Sequence, residues 1–297
     1  MRYIFFFLIL GLLSCNENNV TLPNSTGSKS EILFVSPDYL WENKLRDIVI
    51  NFFASPIPGI AKNENTFKIL QVNEKEFSSL LKTHTNIVLI TSDTTTYFKN
   101  NLWAIDQLVT FLFFKNDINQ FNSECKSIFN IYYDKEISAI YNKMLNTSNK
   151  AYNKRIYESF QVKTIIPNEY SQSFDEEDQM LFSYNPQNKD VIKHILIYKL
   201  PVDTFDLYQL QLQTNSFFKQ HLKGPKENSY VEIETLYPLQ MYNDSYRGLW
   251  KLKNGFMGGP LIIKPYYLDD QIIVSVAIVF DPKSSKRTYI KEFEAIL

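Results

Sequence analysis

The apolar positions of this chain fall into short runs and helical stripes, and their order changes partway along. Ile32-Leu33-Phe34-Val35 is a continuous apolar run of the kind a buried strand makes. Ser36-Pro37 follows as an N-cap with proline at the first helical position. Trp41, Leu45, Ile48 and Phe52 then recur at helical spacing, which predicts a helix burying one face and ending at Pro56 and Pro58-Gly59. Phe67–Val72 reads as a second strand. Asn73 with Glu76 resembles a capping box, and Phe77, Leu80 and Leu81 mark a short amphipathic helix. Ile87–Ile90 and Leu108–Phe114 complete a strand–helix alternation that suggests an α/β layer.

Residues 117–160 turn helical, with Phe121, Cys125, Ile128 and Tyr132 on one stripe and Ile137, Ile140, Tyr141 and Met144 continuing it. A single helix over this span would be ~65 Å long, too long for a compact domain, so a break is expected near Asn146-Thr147-Ser148-Asn149. Beyond Gln161 strands follow one another: Val162–Ile166, Met180–Tyr184, Ile192–Leu200, Tyr230–Tyr237 and Ile272–Phe280. Helices are expected over Phe205–Leu222, stopped by Gly224-Pro225, and over Lys286–Leu297. The predicted class is α+β: an N-terminal α/β domain over 31–160 with a long helical segment, and a C-terminal domain over 161–297 with a mostly antiparallel sheet and flanking helices.

The N-terminus adds a compartment. Met1-Arg2, an apolar run from Tyr3 to Leu13, and Leu12-Leu13-Ser14-Cys15 are the marks of a secretory signal. Eleven apolar residues fall short of the ~20 that span a bilayer. A cysteine directly after the cut resembles the lipobox of bacterial lipoproteins, which implies a signal peptide over 1–14, lipid on Cys15, and a durable membrane anchor from several acyl chains. Asn16–Ser30, mostly Asn, Ser and Thr, reads as a flexible tether; it reaches ~50 Å extended and averages ~20 Å as a coil. These features predict a lipid-anchored bacterial envelope protein, in the outer membrane and facing the periplasm, with exposure at the cell surface as the alternative.

Composition narrows the function classes. The formal charge is -1 with no basic block, which argues against nucleic acid. Aromatics make up 15% of the chain, so the core should be ring-rich. With Cys15 lipidated, Cys125 stands alone and no intrachain disulfide is available. His84, His194 and His221 form no metal-ligand spacing. Asp175-Glu176-Glu177-Asp178 lacks the alternating ligands and glycine of a calcium loop and reads as a solvated hairpin turn. No P-loop, G-x-S-x-G or S-x-x-K occurs, and no motif calls for a cofactor.

The densest local feature is Arg247–Pro260, which holds four of the eight glycines. Asn254-Gly255 signals a two-residue hairpin, and Gly258-Gly259 before Pro260 signals a bulge or a close backbone approach. On a strand, Arg247, Leu249, Lys251 and Lys253 share one face, and Gly248, Trp250 and Leu252 the other. Two readings follow. One is an anion-binding strip of three cations beside a glycine-rich turn, with Arg247, Trp250, Lys251, Lys253, Met257, Gly258 and Gly259 as contact residues. The other is a solvated outer face with Trp250 in the core.

Arg247-Gly248-Leu249-Trp250 and Met257-Gly258-Gly259-Pro260 resemble an uncharacterised lipoprotein family of Bacteroidota, domain of unknown function 4837. Pro56-x-Pro58-Gly59, Ile166-Pro167-x-x-Tyr170, Gly224-Pro225, Asp281-Pro282-Lys283 and Glu294-Ala295-Ile296-Leu297 extend the resemblance over 31–297. It implies a lipid-anchored envelope protein and transfers no catalytic residue. The chain is therefore expected to be a non-catalytic binding or assembly module for an envelope protein or polymer. The alternative is an envelope enzyme of unfamiliar type acting on glycan or peptide through carboxylates that sequence cannot bring together.

Overall fold

The computed structural model describes residues 21–201 and 206–297. Cys15 and the leader lie outside the described residues. The fold is α+β, with one five-stranded and one eight-stranded sheet.

The first sheet contains β1 (Glu31–Val35), β2 (Lys68–Val72), β3 (Asn86–Thr91), β4 (Tyr97–Asn100) and β5 (Leu108–Phe113), in the order β2-β1-β3-β5-β4. All pairings are parallel except that of β4 with β5. Helical segments cover one face: α1 (Asp38–Leu40), a π-helical turn (Trp41–Leu45), α2 (Arg46–Phe53) and α3 (Ile118–Asn146). The π turn holds an extra residue per turn, so the buried positions are Trp41, Leu45, Val49 and Phe53 rather than the expected Ile48 and Phe52. The core here is built from rings: Phe34 packs edge-on against Phe53, and Phe129 against both Phe53 and Phe67. Cys125 is buried in the same core, where burial pushes its thiol up to about 12, as for a packing residue and not a nucleophile.

Loops cover the other face. Phe77 and Leu81 pack there without the expected helix: Asn73 Oδ1 accepts the Lys75 N–H in a local turn, and only Leu81–Thr83 winds as a 3-10 turn. The segment read as a tether joins the body from Pro23 onward. Thr26 N–H donates to the Thr83 carbonyl (2.8 Å), and the Thr26 carbonyl accepts from Thr85 N–H (2.8 Å). Polar residues without apolar side chains still carry backbone donors and acceptors, and these dock the strip.

The long helical segment breaks at Thr147–Asn149, where Asn149 Oδ1 caps α4 (Lys150–Phe160) through Ala151 and Tyr152 N–H. The antiparallel second sheet follows: β6 (Ser171–Asp175), β7 (Gln179–Tyr184), β8 (Ile192–Pro201), β9 (Val231–Ile233), β10 (Gln240–Tyr242), β11 (Ser245–Leu252), β12 (Gly258–Tyr267) and β13 (Gln271–Phe280). Its order is β10-β11-β12-β13-β8-β7-β6, with β9 also on β11. α4 and α6 (Lys286–Ile296) pack on one face, and α5 (Leu207–His221) on the other. Residues 162–166 are buried but are not a strand. Ile165 N–H donates to the Ile296 carbonyl (2.9 Å) and Ile166 N–H to Asn153 Oδ1 (2.8 Å), so this run is bonded to helix ends.

α6 also joins the two halves. Lys291, 1% exposed, points to the first half, where its Nζ lies 2.7 Å from Glu136 Oε2 on α3 and 2.9 Å from the Thr66 carbonyl. Ser30 donates to the same Glu136 carboxylate (2.5 Å). A buried ammonium and carboxylate are tolerated when paired and hydrogen-bonded in this way.

Candidate functional site: a groove between the two sheets

The glycines of Arg247–Pro260 serve a close approach of backbones. Trp250 on β11 pairs with Gly259 on β12 in regular register, without a bulge. A Cβ at Gly259 would lie 2.0 Å from the Val279 carbonyl oxygen, and one at Gly258 would lie 2.9 Å from the Trp250 carbonyl oxygen. The bare backbone lets the Trp250 indole cross β12 and donate Nε1–H to the Val279 carbonyl on β13 at 3.1 Å. Continuing the β12–β13 register places Pro260 opposite Val279. Proline has no N–H, so the indole is the donor that carbonyl receives.

The hairpin turn differs from the two-residue form. Asn254 alone is left-handed (φ 57°), and the loop spans 253–257, closed by Leu252 N–H to the Met257 carbonyl (2.8 Å). The wider loop projects Phe256, 93% exposed, while Met257 packs partly against the sheet core.

Arg247, Lys251 and Lys253 do not form one solvent-facing strip. Arg247 is 1% exposed; its Nη2 meets Glu294 Oε2 at 2.6 Å and its guanidinium lies 4.0 Å from the Tyr242 ring centre. Tyr133 on α3 donates to the same Glu294 carboxylate, making this a second tie between the halves. Lys251 lies 3.3 Å from Glu234 and 3.7 Å from Glu232, and Lys253 donates to the Tyr230 hydroxyl at 2.9 Å. Two separated motifs meet at Arg247. Gly59 of Pro56-x-Pro58-Gly59 has φ 80°, and a Cβ there would stand 2.9 Å from Arg247 Cβ.

The Gly258–Pro260 segment lines a wide groove of about 1190 Å³. One wall comes from the first half: the end of α2, the 60–65 loop and the start of β2. The other comes from the β11–β12 hairpin and the 280–287 segment that holds Asp281-Pro282-Lys283. Six lining side chains are Lys or Arg and three are Asp or Glu, and each of those carboxylates is engaged inside the protein. Glu64 accepts from the Lys286 and Arg287 N–H groups (2.8 and 3.0 Å), capping α6 from the opposite half. Burial pushes its pKa up, but the bonds from Ser285, Lys286 and Arg287 outweigh it and leave it lowered. Asp281 Oδ1 accepts from the Lys283 and Ser284 N–H groups (3.0 and 3.1 Å), and Oδ2 from the Tyr289 hydroxyl (2.6 Å). Burial opposes these bonds too, yet they hold this carboxyl down at about 2. Glu234 faces Lys251. The cations are engaged as well: Lys68 pairs with Glu31 (2.8 Å), Lys283 with Asp190 (2.5 Å) and Lys251 with Glu232 and Glu234. The lining is thus richer in cations than in carboxylates, and exposed Phe256 and Tyr237 stand at its rim.

The remaining candidates stay apart from the groove. Asp175–Asp178 forms the β6–β7 turn, with Asp175 paired to Arg155 and Asp178 to Lys199, each at 3.2 Å. His194 bonds Ser183 Oγ through Nδ1 (2.9 Å), and burial lowers its pKa to about 4. Among the described residues no group of three or more His, Cys, Asp or Glu is placed to hold a metal ion, and no helix is long and apolar enough to cross a membrane.

The fold and groove define a two-part α+β protein whose halves are tied by the buried Lys291–Glu136 pair and by hydrogen bonds from Tyr133 to Glu294 and from α6 to Glu64, with a cleft between them. The chain belongs to the family described as Domain of unknown function (DUF4837), whose model matches residues 148–297. A second family model, Domain of unknown function (DUF8532), matches residues 25–145. The resemblance drawn over 31–297 thus divides between two families that meet at the break between α3 and α4. No curated protein matches the chain.

Proposed function

We propose that this protein is a lipid-anchored component of the bacterial cell envelope, of the Bacteroidota type, and that its body is a non-catalytic binding module. An extended partner carrying negative charge, an envelope protein segment or a polymer, lies in the groove between the sheets. The observation that carries this reading is the lining of the groove: six Lys or Arg side chains against three Asp or Glu, beside an almost fully exposed phenyl ring. The Lys68–Glu31 and Lys283–Asp190 pairs are surface pairs, which an anionic partner can displace at little cost. The leader sequence supports the anchor. The eight residues from Cys15 to Leu22 span at most ~26 Å, which keeps the body within that distance of the bilayer.

Two experiments test the proposal. Cys15→Ser is expected to move the protein from the membrane pellet to the soluble fraction; sedimentation equal to the parent's would refute the anchor. A photo-crosslinking residue at Phe256 is expected to give one discrete adduct in intact cells, lost when Lys251 and Lys283 are both changed to Glu. An adduct pattern unchanged by that charge reversal would refute the groove as the binding surface. Turnover of envelope glycan or peptide by the purified body, abolished by groove substitutions, would replace the binding reading with an enzymatic one.

A further inference from the structure

A separate hollow of about 100 Å³, sharing no lining residue with the groove, lies where β3 and β5 begin. Lys135 of α3 reaches into it. Its Nζ donates to the Asp106 carbonyl (3.1 Å) and Asn86 Oδ1 (3.3 Å), both neutral acceptors. Lys29 lines the same hollow. Glu136 is committed to Lys291 and Ser30, and the Tyr132 hydroxyl to the Ile87 carbonyl at 2.8 Å. The Asp106 side chain also lines the hollow but belongs to an exposed residue and makes no ion pair with Lys135. Lys135 has no carboxylate within ion-pair distance among the described residues. A half-buried amine beside a second cation and without a carboxylate in ion-pair contact is the arrangement that makes lysine nucleophilic. Burial first and Lys29 second lower its pKa to about 8, with Asp106 opposing them.

We propose that Lys135 is the nucleophile of a small-carbonyl site, and that this site takes a two- or three-carbon 2-oxo acid with its carboxylate toward Lys29. The hollow holds about three waters' worth of liquid volume, which admits an acid of that size. The ammonium first releases a proton to solvent. The free amine adds to the carbonyl carbon, and the carbinolamine loses the carbonyl oxygen as water to give an imine. No oxidant or reductant is required. The hydride in the test below comes from added borohydride.

The full-length protein in detergent is treated with glyoxylate and sodium borohydride at pH 7.5, and modified lysines are located by peptide mass spectrometry. Lys135 is expected to be labelled at least ~10-fold faster than Lys154, whose side chain is 76% exposed. Glyoxylate should outpace uncharged acetaldehyde at Lys135, and Lys29→Met should abolish that preference. Lys135→Arg, checked for an unchanged melting temperature, should remove the label. Labelling of Lys135 no faster than Lys154, or equal labelling by glyoxylate and acetaldehyde, would overturn the proposal.

Discussion

Gly259→Ala is the sharpest test of the groove's construction. The added methyl would sit 2.0 Å from the Val279 carbonyl oxygen and 3.2 Å from Trp250 Nε1, against an ordinary carbon–oxygen approach of ~3.3 Å. The near contact is backbone on an inner strand, so β12 and β13 must part by more than ~1 Å or the indole must leave. Overpacking of this kind costs ~1–3 kcal/mol. Loss of the indole donor leaves the Val279 carbonyl without a partner, because Pro260 cannot supply one, and a buried unpaired acceptor costs ~1–3 kcal/mol. The combined loss is expected at ~2–6 kcal/mol.

Urea unfolding followed by far-ultraviolet circular dichroism measures this loss. With a slope of ~2–3 kcal/mol/M, the midpoint should fall by ~1–3 M. Trp250→Phe removes the donor and part of the ring, so it should cost the hydrogen-bond part, ~1–3 kcal/mol, plus a smaller cavity term. The double variant should be less destabilised than the sum of the two, since both act on one contact. A Gly259→Ala midpoint within ~0.3 M of the parent's, or strictly additive costs, would refute the reasoning.

Other perturbations probe the ties between the halves and the titrating groups. Glu136→Gln leaves Lys291 buried without its counter-ion and should cost ~3–5 kcal/mol, whereas Glu136→Leu with Lys291→Met should recover most of that loss in thermal melts. Asp281 has a folded pKa of about 2, below its ordinary 3.8. Its stabilisation is full above pH ~3.8 and lost as pH falls through ~2, and Asp281→Asn should flatten acid unfolding in that window. His194 has a folded pKa of about 4, below its ordinary 6.5. The unfolded chain takes up this proton first, so stability should decline from pH ~6.5 to ~4, and His194→Gln should remove that slope.

Much of the fold was legible because burial leaves a periodic trace. The stripes of α3, α5 and α6 and the runs of β1, β3, β7, β8 and β13 are apolar because both faces of each sheet are covered. Strands β4, β6 and β10 gave no such trace. Each is an edge strand, with Tyr97-Phe98-Lys99-Asn100, Ser171-Gln172-Ser173-Phe174-Asp175 and Gln240-Met241-Tyr242 largely facing solvent. Val162–Ile166 erred the other way: it is buried, and apolar pattern reports burial, not pairing. Of the two readings of Gly258-Gly259, a bulge or a close backbone approach, the structure shows the second. The partners of Arg247 and Lys291 were illegible, because Glu294 and Glu136 reach them only through tertiary packing.

Those hidden partners explain why the groove exists at all. A surface arginine on an alternating strand would face water; Arg247 instead turns inward to Glu294, which also receives Tyr133 from the other half. α6 bears this carboxylate and Lys291 three residues apart, so one helical face carries an anion and a cation to the same wall of α3. Glu64 reaches back the other way to cap the first turn of the same helix. Charge is exchanged in both directions across one helix, and opposite charges in these positions match only in a single docking of the halves. The cleft left beside that docking is consequently fixed in shape. Two of its lining carboxylates, Glu64 and Asp281, are spent on α6, which leaves the lining with more cations than anions.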